Sequence, residues 1–103
     1  MQQTIYSFKK EIFGWAQEIN VTPKEIQFRH MKNKWASCSS NGRLTFSFDV
    51  LRLSTEERAN IIVHELLHLK YPNHDKMFTS LLKTYLSKKN IKYNPILQNP
   101  NFY

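Results

Sequence analysis

The stretch from Ser54 to Pro72 constrains this chain most. Ser54-Thr55-Glu56-Glu57 is a capping box, in which the Ser54 hydroxyl can accept from the Glu57 amide while the Glu57 carboxylate reaches back. It predicts a helix from about Thr55 to Lys70, stopped by Pro72. Inside that helix, flanked by Ile61-Ile62-Val63 and Leu69, stands His64-Glu65-Leu66-Leu67-His68. Residues four apart share a helix face, so the two imidazoles lie one turn apart on the same side. Neutral imidazoles at that separation can chelate one Zn²⁺. Glu65 follows His64 by about 100° round the helix, which aims it at a nucleophilic water rather than at the metal. His74 comes six residues after His68, past Pro72-Asn73, and can swing back as a third ligand. Three protein ligands with one open position make the geometry of a catalytic zinc. A chance H-E-x-x-H on a surface helix is the bland alternative. Two His and a Glu inside so apolar a helix are unfavourable without partners, which favours the metal reading.

The remaining elements are short. Ile5, Phe8, Ile12, Trp15, Ala16 and Ile19 recur at three- and four-residue steps and predict a helix over 4–20, ended by Asn20 and Pro23. Alternation over 25–31, with Ile26, Phe28 and His30 on one face, predicts a strand. Asn41-Gly42 is a strong hairpin signal. Taken as a two-residue loop, it sets Cys38 opposite Thr45, Ala36 opposite Ser47 and Lys34 opposite Asp49 as a possible ion pair. Ser37 then meets Phe46 and Trp35 meets Phe48 on an aromatic core face, leaving Ala36 and Cys38 on a small polar face. Asp75 can cap a last helix over about 76–87, with Phe78, Leu81, Leu82, Tyr85 and Leu86 as its apolar stripe. Residues 88–103, with Pro95, Pro100 and isolated aromatics, read as an extended tail.

A length of 103 residues allows one domain and no second. Residues 1–87 read as its body and 88–103 as an appendage. Cys38 is the only cysteine, which rules out an internal disulfide and a Cys-rich zinc site. No apolar run approaches the ~18 residues of a membrane span. The start, with Lys9, Lys10 and Glu11 breaking its apolar residues, does not read as a secretory signal. The expectation is a cytoplasmic protein without a membrane partner. Fifteen Lys and Arg against eight Asp and Glu give +7, but the cations are dispersed and no run exceeds two. That reads as a solvated basic surface before it reads as a nucleic-acid site.

Met31-Lys32-Asn33-Lys34-Trp35-Ala36-Ser37-Cys38-Ser39, followed by His64-Glu65-Leu66-Leu67-His68 and Asn73-His74-Asp75-Lys76-Met77-Phe78, resembles the YgjP-like metal-dependent hydrolases. The chain is similar in length to their shortest members, the minigluzincins. The resemblance spans roughly residues 26–86, and Ala36 stands where the family's W-G-S-C motif has glycine. The ligand spacing also equals that of metzincins, but Tyr71 occupies their glycine position and Met77 is too close to His74 for a Met-turn.

The resemblance implies an α+β fold of minimal gluzincin type. Its parts are a backing helix, a sheet of about three strands, an active-site helix and a C-terminal helix bearing the third ligand. It implies a zinc metallopeptidase acting on peptide or protein substrates, with His64, His68 and His74 as ligands and Glu65 as the base. It also makes strand 34–39 the rim of the cleft, so that Trp35, Ala36, Ser37 and Cys38 pair their backbone with an extended substrate. A second oxyanion donor is usual in such chemistry, and Tyr71, His30 and the tail tyrosines are the candidates. Cys38 reads as a packed thiol, with a latent fourth ligand as the sharper alternative. His30 reads as a hydrogen-bonded core residue, and Asp75 as a cap that could instead orient a ligand. Asn94-Pro95-Ile96-Leu97-Gln98-Asn99-Pro100 is apolar enough to lie in a peptide cleft. Minigluzincins imply latency through the C-terminal segment, so residues after about Lys88 are expected to occlude the site, as a monomer or a tail-exchanged dimer. The competing class is a basic nucleic-acid-associated module, or a protease acting on DNA-bound proteins as in the similar SprT-like proteins.

Overall fold

The computed structural model describes residues 4–98. Helix α1 (Ile5–Ile19) starts where the Thr4 hydroxyl accepts from the Ser7 amide, and ends on Asn20 in the left-handed region at φ 63°. Of its predicted stripe, Phe8, Ile12, Ala16 and Ile19 are buried, Trp15 is half-buried, and Ile5 at the helix start is exposed. Strand β1 (Glu25–Arg29) follows, then β2 (Ala36–Cys38) and β3 (Arg43–Ser47). The sheet order is β1-β3-β2, with β1 parallel and β2 antiparallel to β3. Phe8 meets Phe46 and Phe28 edge-on at 5.1 and 5.6 Å, which seats α1 on the sheet.

The hairpin register differs from expectation by one residue. Ala36 pairs with Phe46, Ser37 with Thr45 and Cys38 with Leu44. The loop holds three residues rather than two: Gly42 N–H donates to Ser39 O, Ser39 N–H donates to Arg43 O, and Gly42 takes φ 92°. A turn closed by a left-handed glycine adds one residue to the tight hairpin. That single residue exchanges the faces. Ala36 is fully buried beside Leu44 and Phe46, and Cys38 packs half-buried against the core instead of on a polar face. The Lys34–Asp49 and Trp35–Phe48 pairings do not form. β3 ends at Ser47, whose hydroxyl accepts from Asp49 N and starts a 3-10 turn over Phe48–Arg52. β1 also stops before His30, which is exposed beside Phe48 at a 5.0 Å ring separation and is no core residue.

Helix α2 (Thr55–Leu67) has both halves of the Ser54/Glu57 capping box. It is buried from Arg58 to Leu67, packing against α1, β2 and the last helix. Arg58, 6% exposed, holds Glu11 of α1 with two bonds of 2.9 Å and also donates to the Leu53 carbonyl. Past Leu67 the chain tightens, with Leu69 and Lys70 amides bonding three residues back, so the helix ends short of Lys70. Helix α3 (Lys76–Ser87) is capped by Asp75, whose Oδ1 accepts from Phe78 N at 2.9 Å. Phe78, Leu82 and Leu86 are buried. Asn90 (φ 59°) turns the chain back, and Ile91 N–H donates to Leu86 O. The arm is irregular from Ile91 to Asn94 and closes in a 3-10 turn, Pro95–Gln98, packed on α2 with Leu97 buried.

Candidate metal centre

Helix α2 presents His64, its C-terminal cap residue His68 lies one turn on, and the turn before α3 returns His74 to them. The three Nε2 atoms lie 3.2 Å (His64–His68), 2.6 Å (His68–His74) and 3.0 Å (His64–His74) apart. Phe78, one turn into α3, lies under all three rings at centroid distances of 4.8–5.2 Å. Among the described residues this is the group whose ligand atoms could hold a metal ion, and Cys38 is outside it.

The other ring nitrogens define what the Nε2 atoms offer. His68 Nδ1 lies 3.2 Å from the Tyr71 carbonyl, and a carbonyl can only accept, so Nδ1 carries the proton. His64 Nδ1 lies 2.5 Å from Gln98 Oε1. The Gln98 amide is oriented by its Nε2, which donates to Asn60 Oδ1 at 3.0 Å, so Oε1 faces the ring and His64 Nδ1 is protonated too. Both Nε2 atoms therefore bear lone pairs, directed at each other across 3.2 Å. Lone pairs so placed repel unless a cation lies between them, and neutral imidazole donors suit zinc. Burial keeps them neutral. It lowers His64 from 6.5 to about 3, aided by the neighbouring histidines and opposed by the bond to Gln98. It lowers His68 to about 4, with His74 adding to the effect and the Tyr71 carbonyl opposing it.

Glu65, 1% exposed, lies beside this cluster but is not part of it. Burial raises its carboxyl from 4.5 to about 8 against the pull of Lys34. Its Oε2 is buried with no hydrogen-bond partner among the described residues. A buried carboxylate oxygen without a partner is costly in a purely structural residue and is suited to a group that exchanges protons with a bound molecule. Cys38 faces the same groove. Burial first, and then Glu65, pushes its thiol from 9.0 up to about 11, which holds it as the weakly ligating S–H form.

The groove runs between β2 and the cluster, lined by Lys34, Ser37, Cys38 and Ser39 on one side and Glu65, His68 and His74 on the other. Of the expected rim residues, Ser37 and Cys38 line it, Ala36 is buried beneath it, and Trp35 packs half-buried on the core. The ladder sorts the backbone groups further. Ser47 N–H donates to Trp35 O, and Ser39 N–H donates to Arg43 O. Odd-numbered residues thus bond inward to β3, and Ala36 and Cys38 direct their N–H and C=O to the outer edge of an edge strand. His30 and Tyr93 do not line the groove, and Tyr71 enters the site through its carbonyl. Asp75 bonds the α3 terminus. The part of the expected occluding tail at 99–103 lies outside the described residues, while the part from Lys88 to Gln98 does not line the groove and meets the cluster through Gln98, which bonds His64.

Gln98 and Asn60 are functional neighbours that the sequence reading missed. Asn60 carried a signal: it is an amide between Ala59 and Ile61 in an apolar helix, one turn before His64, and a buried amide needs partners. Gln98 carried none.

No curated protein matches the chain in sequence. The crystal structure of the metallopeptidase zymogen abylysin from Pyrococcus abyssi shares the fold, with a TM-score of 0.67 at 20% identity over 84% of this chain and 99% of that one. Residues 2–94 match the family described as YgjP-like, metallopeptidase domain. With that match covering most of its length, and three histidines brought together on the fold of a metallopeptidase, the chain belongs to the YgjP-like metallopeptidase family.

Proposed function

We propose that the protein is a zinc-dependent endopeptidase with His64, His68 and His74 as metal ligands and Glu65 as general base. The convergence of three Nε2 atoms within 2.6–3.2 Å carries this reading. Bound zinc would act as a Lewis acid on the scissile carbonyl and lower the pKa of water in its open position towards ~7. Glu65 takes a proton from the water as its oxygen adds to the carbonyl carbon. It returns that proton to the amine as the C–N bond breaks, leaving a free carboxylate and amine. Burial suits it to both steps, because a carboxyl poised near neutrality both accepts and releases a proton. Ala36 and Cys38 pair an extended substrate to the edge of β2 through their outward backbone groups. Ser37 and Lys34 lie along its path. Lys34 supplies a positive charge beside Glu65, which draws acidic or carbonyl-bearing groups to that end of the groove.

Latency belongs to the same proposal, supported by the zymogen state of the abylysin structure. Residues 88–98 do not line the groove, so the occluding role is assigned to the residues that follow Gln98. Ending the chain after Gln98 should raise cleavage of an unstructured protein such as casein. Unchanged cleavage by a folded 1–98 protein would overturn the latency. For the metal, one zinc per chain should be found. Its removal by a chelator should abolish cleavage by the 1–98 protein, and one equivalent of Zn²⁺ should restore it. Cleavage that survives chelation would refute the proposal.

A further inference from the structure

Asn60 occupies the centre of a small buried network. Its Nδ2 donates to Glu56 O at 2.9 Å and to Lys92 O at 3.1 Å. Its Oδ1 accepts from Asn94 N at 2.8 Å and from Gln98 Nε2 at 3.0 Å. Two donors and two acceptor sites are the full capacity of a side-chain amide, and all are used. Three of the four bonds join α2 to the C-terminal arm, at residues 92, 94 and 98. Asn60 itself is 1% exposed, and Leu97 anchors the arm's apolar side at 5%. The arm is thus held at fixed register against the helix that carries His64. The last side chain in that register is Gln98, whose Oε1 lies 2.5 Å from His64 Nδ1. The family match ends at residue 94, so this contact lies beyond the matched region.

We infer that Gln98 is a positioning residue of the metal centre, with Asn60 as the clasp that places it. By accepting from His64 Nδ1, Gln98 fixes that ring as the Nδ1–H tautomer and holds the Nε2 lone pair towards His68 and His74. A partner that pins the second nitrogen of a ligating histidine preserves both its tautomer and its orientation. The arm from Lys88 to Gln98 is then part of the site rather than the piece that occludes it. The inference rests on the metal reading above for its consequence, but not for its geometry.

The test uses the full chain. In zinc-free native protein, long-range ¹H–¹⁵N spectra should show His64 as the Nδ1–H tautomer. In Gln98→Ala the ring should become a tautomer mixture, and zinc affinity measured by chelator competition should fall about 10- to 100-fold. Gln98→Glu keeps an acceptor towards His64 Nδ1 but loses the donor to Asn60 Oδ1, so it should retain the Nδ1–H tautomer while loosening the clasp. An unchanged tautomer and unchanged affinity in Gln98→Ala would overturn the inference, as would loss of the Nδ1–H tautomer in Gln98→Glu. If native protein binds no zinc, the peptidase proposal fails by itself, and the tautomer spectra still decide the role of Gln98.

Discussion

At the residue scale the ionisable groups of the centre pull stability in opposite directions. His64 and His68 are lowered from 6.5 to about 3 and about 4 in the folded protein, so folding binds fewer protons there than unfolding does. Without metal, stability is therefore lost as pH falls below 6.5. Glu65 is raised from 4.5 to about 8, so the folded state holds its proton more tightly, and stability is lost as pH rises through that range. Two histidines oppose one glutamate below 6.5, and from there to about 8 Glu65 acts alone, the raised Cys38 thiol adding its own decline only above 9. The metal-free protein should be most stable near the histidines' ordinary value of 6.5 and should lose up to about 1.4 kcal/mol per pH unit above it. Glu65→Gln should remove that alkaline decline, as read by urea denaturation in chelator. A decline of the same slope in Glu65→Gln would show that another group causes it. The histidine cluster was legible from spacing, because helical periodicity fixes which face His64 and His68 share. His74 needed only a turn, which Pro72-Asn73 announces. Gln98 was not legible, because a contact across thirty-four residues depends on how the arm packs, and no local pattern encodes that.

At the element scale the helices were read well and the hairpin was not. Caps and apolar stripes act within a few residues, so α1 follows from its apolar stripe, and α2 and α3 from the Ser54 and Asp75 caps and the residues after them. The hairpin register depends on whether the loop holds two residues or three, and Asn41-Gly42 fits either. One residue of difference moved Ala36 and Cys38 to the core face and Ser37 opposite Thr45. The two glycines make this testable. Gly42 sits at φ 92°, and a Cβ there would meet Lys24 Cγ at 3.2 Å, so Gly42→Ala should cost about 1–2 kcal/mol. Gly14 lies inside α1 with nothing within 4 Å of an added Cβ, so Gly14→Ala should stabilise by about 0.5–1 kcal/mol. Denaturation midpoints of the two variants should move in opposite directions. The α1–α2 clasp gives a third case. Glu11→Ala leaves the Arg58 guanidinium buried without its carboxylate and should cost about 3 kcal/mol, read as a lowered Tm.

At the scale of the whole molecule, the described residues pack around one small core. The groove is bounded by an edge strand on one side and the histidine cluster on the other. Such a site depends on its flanks, and the C-terminal arm is one of them. Truncation should therefore act in two opposite ways. Ending the chain after Gln98 should relieve occlusion while keeping the clasp intact. Ending it after Ser87 removes Gln98 and the Asn60 partners as well, and should weaken zinc binding even where the groove is cleared. Equal zinc affinity and equal cleavage in the two truncated proteins would contradict the division of the tail at Gln98. No described helix is long and apolar enough to cross a membrane. The net charge of +7 remains a property of the surface, with its cations spread over the chain rather than gathered at the groove.

The central claim is that Glu65 moves protons while the three histidines hold the metal. Glu65→Gln in the chain ended after Gln98 separates the two roles, with zinc content and casein cleavage measured on the same sample. Retention of one zinc per chain with cleavage reduced by at least about 100-fold is the predicted result. Cleavage at the parent rate with zinc still bound would contradict the account.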